Sequence, residues 1–152
     1  MNRSEVDVLV NDLGRRLGLE GLCLDASGCC QLAFDRCWLV TMVLHPAGDR
    51  LVMHCPIGPP GEIEPADLLA MLQGNFLGCA AWGGSLAIAP DRRACVQQEI
   101  ALNQAGVGSN LIQKALERLL TAAETWATRL REGAATRQPR SALLPDRLSR
   151  RA

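Results

Sequence analysis

The chain has 152 residues, 48% hydrophobic and 21% charged, with a formal net charge of zero. A single domain of that size buries about 68–70% of its unfolded surface and needs neither a metal nor disulfides to fold. The zero charge hides an asymmetry: residues 1–132 hold 11 Lys/Arg against 15 Asp/Glu (−4), and residues 133–152 hold five arginines and one aspartate (+4). An acidic body excludes nucleic acid as the main ligand, because phosphate binding needs a basic face. The opening "MNRSEVDVLV" places acids where a secretory signal would be basic and then apolar. The apolar run "CWLVTMVL" (37–44) is far short of a membrane span. The expectation is a cytoplasmic protein without membrane insertion, in which the seven cysteines stay reduced.

In chain order, Ser4 and Asp7 suggest a capping box for a first helix. Val6, Leu9, Val10, Leu13 and Leu17 lie on one face of that helix, and Gly18 closes it. In "CQLAFD", Cys30, Leu32 and Phe34 alternate with Gln31, Ala33 and Asp35, the period of a half-buried strand. "CWLVTMVL" and "RLVMHCPI" (50–57) form the next two strands across "HPAGD". Trp38, Val40, Met42 and Leu44 point one way and Leu39 and Val43 the other, so both faces are apolar and both call for a cover.

Pro65 opens a second helix whose stripe is Leu68, Leu69, Leu72 and Phe76. "GCAAWGG" breaks it, and "SLAIAP" and "CVQQEIAL" make a hairpin across "PDRR". Asn110 with Gln113 suggests a capping box for the last helix, whose apolar face runs from Leu111 and Ile112 to Leu130. The element order is α-β-β-β-α-β-β-α, an α+β fold in residues 1–132, followed by an Arg/Pro-rich tail over 133–152 that reads as flexible.

Signals for chemistry are weak. The cysteines (23, 29, 30, 37, 55, 79 and 95) show no C-x-x-C spacing of a zinc site. His45, His54 and Cys55 are the one grouping to weigh for a metal, and none is expected. Adjacent strand residues point to opposite faces, so His54 and Cys55 cannot form a nucleophile–base dyad by strand geometry. The thiols, Cys29 and Cys30 included, read as packing or turn-end residues. "AGVGSN" and "EIEPAD" suit helix starts, and no phosphate loop, dinucleotide fingerprint or nucleophile elbow is present. No catalytic residue and no cofactor is expected.

The ordered patterns "LGLEGLCLD", "CQLAFD", "LLAMLQGN", "GGSLAIAPDRRACVQQEIAL" and "LIQKALERLLTAAETWATRL" resemble the class I type III secretion chaperones, the Tir-chaperone family, over roughly residues 4–132. "LAFD" (32–35) and Gln73-Gly74-Asn75-Phe76 carry the resemblance most clearly, while the Arg-rich tail and the abundance of cysteine depart from it. The resemblance implies a homodimer with an antiparallel, strongly twisted sheet. It also implies a client, the N-terminal segment of a secreted effector, kept non-globular and handed to the export ATPase complex without ATP hydrolysis by the chaperone. Carried onto this chain, the dimer contact falls on Leu68, Leu72, Trp82, Leu86 and Ile88. Candidates for the effector contact are Leu32, Phe34, Val40 and Met42 on the sheet, with Leu13 and Leu17 on the first helix. For each of these residues ordinary core packing is the alternative. Two other classes stand beside this reading: a small enzyme or redox protein using Cys55, His54 or His45, and an α+β module with a small-molecule pocket.

Overall fold

The computed structural model describes residues 2–59, 61 and 63–137. Helix α1 (Arg3–Arg16) starts earlier than Ser4 would set it: Asn2 is the cap, its side chain accepting from the Glu5 N–H while the Glu5 carboxylate accepts from the Asn2 N–H. The capping box is real but is built by Asn2 and Glu5, because the side-chain oxygen must stand one residue before the first helical φ/ψ. Gly18, at φ +72°, lets the chain turn away at the other end.

Strands β1 (Cys29–Phe34), β2 (Trp38–Leu44), β3 (Arg50–Pro56), β4 (Ser85–Ile88) and β5 (Ala94–Ala101) form one antiparallel sheet in the order β1-β2-β3-β5-β4. Helix α2 (Pro65–Gly74), a short 3-10 stretch (Phe76–Ala81) and helix α3 (Ser109–Arg137) complete an α+β fold. Pro65 does open α2. Asn110 does not cap α3, since the helix already begins at Ser109 and the Leu111 and Ile112 amides donate to the Gly108 carbonyl ahead of it. The Asn110 and Gln113 side chains instead accept from Arg16, and Ser109 Oγ donates to Asp12, so polar contacts tie α1 to the start of α3. Helix α3 runs to Arg137, five residues into the stretch expected to be tail, and residues 138–152 lie outside the described residues.

The register fixes which face is inside. Leu32 opposes Val40, Met42 opposes Met53, Leu51 opposes Ile100 and Cys55 opposes Val96. All eight are 5% exposed or less. Onto this face pack Val6, Val10 and Leu13 of α1 with Ile112, Leu116, Leu119, Ala123 and Trp126 of α3, giving one apolar core. Trp126 is its largest member, and its indole N–H donates to the Ala80 carbonyl at 2.8 Å.

Candidate protein-binding surfaces

The segment after α2 is anchored inward and leaves its apolar side chains outward. Gly74 sits where a Cβ would lie 2.5 Å from Cζ2 of Trp126 and 2.9 Å from Cδ1 of Leu86, so only glycine lets α2 approach α3 this closely. Asn75 donates from Nδ2 to the Leu86 carbonyl at 2.9 Å and accepts at Oδ1 from the Leu86 N–H at 2.7 Å. Gln98, buried, donates to the Ala81 carbonyl at 3.0 Å. Between these anchors Leu77 and Trp82 adopt left-handed backbone at φ +57° and +50°. A non-glycine residue rarely takes that conformation unless its surroundings over-determine it.

The result is an apolar surface spanning α2, the 3-10 stretch and β4. Leu69, Leu72, Phe76 and Leu77 are 56%, 69%, 74% and 81% exposed, and Leu68, Trp82 and Ile88 are 37–42% exposed. Of the residues expected at a dimer contact, Leu68, Leu72, Trp82 and Ile88 lie on this surface. Leu86 does not: it is 5% exposed and belongs to the core row of β4 beside Val96. Leu69, Phe76 and Leu77 are the surface members that sequence reasoning did not nominate for the contact, although Leu69 and Phe76 already stood in the helical stripe.

The opposite face of the sheet carries Leu39, Thr41, Val43, Val52, His54 and Gln97, all at least partly open to solvent. Val43 and Val52 are cross-strand partners and Leu39 is 44% exposed. The six residues expected at the effector contact lie elsewhere in the subunit. Leu13, Val40 and Met42 are fully buried and Leu32 is 3% exposed, so these four present no open surface in the subunit, while Leu17 and Phe34 are half-buried against the same core. Alternation identified the two rows of β2 correctly, but the row with Val40 and Met42 is the one that α1 and α3 cover. Leu39, Thr41 and Val43 are the row left outside.

Among the described residues, the thiols and histidines do not assemble into reactive chemistry. Cys55 is buried in the core while His54 faces the other way. Burial pushes the Cys30 and Cys55 thiols up to about 11, and pushes the Cys95 thiol up as well, so these sulfurs stay protonated near neutrality. Burial holds His54 below the usual histidine range. His45 lies 3.2 Å from Asp49 in the β2–β3 turn. Among the described residues, no three His, Cys, Asp or Glu side chains are grouped to hold a metal ion. No helix among them is long and apolar enough to cross a membrane.

Comparison with solved structures gives the same architecture repeatedly. A chain of the ExsC–ExsE complex superposes with a TM-score of 0.74 at 22% identity, covering 84% of this chain and 95% of that one. A chain of the HopA1–SchA chaperone–effector complex gives 0.67 at 21% identity, covering 84% and 98%. A chain of the structure of the Yersinia pestis type III secretion chaperone SycH with a stable fragment of YscM2 gives 0.63 at 19% identity, covering 79% and 98%. Comparison with curated proteins finds no match. The sequence profile of the Tir chaperone protein (CesT) family matches residues 8–127, from the middle of α1 to the buried part of α3. With four-fifths of its length inside that profile and its fold shared with secretion chaperones, the chain belongs to the Tir chaperone family.

Proposed function

We propose that this protein is a homodimeric type III secretion chaperone. It binds the N-terminal segment of one or more effectors, keeps that segment non-globular and presents it to the export apparatus, with the secretion ATPase as a further partner. The observation that carries the reading is the exposed surface around Leu72, Phe76 and Leu77, too apolar and too contiguous to suit a subunit that works alone. A second copy related by a two-fold axis would cover it with the same residues. The Val43–Val52 pair and Leu39, on the outer face of the sheet, then remain for an extended client chain, whose affinity comes from many small apolar contacts.

Family membership supports the chaperone role, and two of the superposed structures are named for a chaperone held with an effector or a protein fragment. The protonated buried thiols and the opposed placement of His54 and Cys55 favour a non-enzymatic protein over a thiol enzyme. Cytoplasmic residence fits the same role. Sedimentation of the purified chain should give a dimer, and co-expression should keep an effector's N-terminal region soluble and bound. A monomer that retains no such client would overturn the proposal.

A further inference from the structure

The segment that carries the exposed apolar surface has little of its own to hold it down. Over residues 76–82, Phe76, Leu77 and Trp82 are 74%, 81% and 41% exposed, and Ala81 is the one described side chain that is buried. A single buried methyl gains little from leaving water. Leu77 and Trp82 also stand in left-handed backbone, which neighbours must enforce. The segment's own packing therefore does not account for its shape.

The grip comes from two other elements. Trp126 on α3 donates its indole N–H to the Ala80 carbonyl at 2.8 Å. Gln98 on β5 donates from Nε2 to the Ala81 carbonyl at 3.0 Å and to the Trp82 carbonyl at 3.4 Å. Three consecutive carbonyls are thus held from beneath. Gln98 stands in the core row of β5 between Val96 and Ile100 and opposite Met53, and all three of those neighbours are 5% exposed or less. An amide in such a row costs stability unless it is hydrogen-bonded, and a methionine would fill the same place without that cost. Gly84 completes the fit, since a Cβ there would lie 2.7 Å from Nε2 of Gln98 and 2.1 Å from the Gln97 carbonyl oxygen.

We propose that Gln98 and Trp126 are positioning residues for subunit assembly: they preset the backbone at 80–82 so that Phe76, Leu77 and Trp82 already stand where a second copy meets them. This assignment rests on the homodimer reading above. At 5% and 2% exposure neither residue lies on the surface itself, and both act through the segment they hold. A preset surface avoids the ordering cost that a loose segment adds at docking. Losing the grip should therefore weaken assembly and spare the fold.

Gln98→Met removes one donor and keeps the length of the side chain, and Trp126→Phe removes the other and keeps an aromatic ring. Each full-length variant should retain the circular dichroism of the fold. Its dimer dissociation constant, from sedimentation equilibrium over a dilution series, should rise about tenfold or more. Hydrogen exchange on the diluted chains separates this from general loosening. The Gly83 and Gly84 amides, which donate to the Gly78 and Ala81 carbonyls at 3.0 and 2.9 Å, should exchange about tenfold faster in both variants, with β3 and β5 unchanged. Val40→Ala, a core change on β2 with β3 between it and β5, should lower the urea midpoint and leave the dimer constant alone. A dimer constant unchanged in both variants overturns the assignment and leaves the dimer reading standing. So does equal weakening by Val40→Ala, or faster exchange throughout β5, since either makes the effect one of general stability. A parent chain that stays monomeric across the dilution series overturns the dimer reading itself, and the assignment with it.

Discussion

The side-chain amide of Asn75 closes a two-point hydrogen bond on the backbone of Leu86, at 2.9 and 2.7 Å, on the edge strand of the sheet. The amide occupies the N–H and C=O that an edge strand would otherwise leave open, and it fixes the exit of α2 against β4. Asn75→Ala leaves two partly buried backbone groups without partners and should lower unfolding stability by about 1–3 kcal/mol in urea titrations. An unchanged midpoint would show that water replaces the amide at no cost.

Substitutions on the α2 surface should separate assembly from folding. Leu72→Asp and Phe76→Asp change side chains 69% and 74% exposed in the subunit, so the circular dichroism of the fold should persist while the dimer dissociates in sedimentation. Leu86→Asp should behave differently and unfold the subunit, because Leu86 is core. A dimer that survives Leu72→Asp, Phe76→Asp in combination removes this surface as the interface.

Client binding should respond to the outer face of the sheet. Val43→Lys with Val52→Lys puts two like charges directly across β2 and β3, where an extended client would lie. The pair should reduce client pull-down by an order of magnitude or more, about 1.4 kcal/mol or above, and leave the dimer intact. Full retention of client would place its contact elsewhere.

Acid should destabilise the protein in two separate windows. His54 is held below its ordinary value of 6.5 by burial, so below that pH the unfolded chain binds more protons and stability falls as pH drops towards the folded value. Asp25, Asp49 and Asp91 are lowered by hydrogen bonds from Ser27, Arg50 and Arg93, so their contribution is intact above about 3.8 and lost only below it. His54→Gln should flatten the upper window in thermal melts between pH 7 and 5 and leave the lower one. A melt unchanged by pH above 5 in the parent chain would contradict the burial of His54.

The thiols should sort by burial. Cys23 and Cys37, both exposed, should be alkylated readily in the native state at pH 8, and Cys55 and Cys95 only after unfolding. Client binding should tolerate Cys→Ala at each described cysteine whose variant folds. A folded single variant that abolishes binding would revive a thiol-dependent mechanism.

Legibility in the sequence tracked the range of the interaction. Period and punctuation gave the order of elements, the hairpin across "PDRR", Pro65 at the start of α2 and the two rows of β2, because these depend on neighbours within a few residues. "QGNF" stood out, and the structure supplies its reason: Gly74 admits Trp126 and Asn75 holds Leu86, partners 52 and 11 residues away. The sequence carried only one local signal for which row of β2 faces the helices, the hydroxyl of Thr41 between Leu39 and Val43; otherwise both rows are apolar and alternate with the same period. That choice belongs to the packing of α1 and α3, which cover one face only. It buried Leu13, Leu32, Val40 and Met42, which were expected to meet a client, and left Leu39, Val43 and Val52 on the outer face. Four of the five dimer candidates are exposed in the subunit, Leu68 and Leu72 because a surface helix shows its spare stripe locally, and Leu86 alone among them belongs to the core, through strand pairing with Val96.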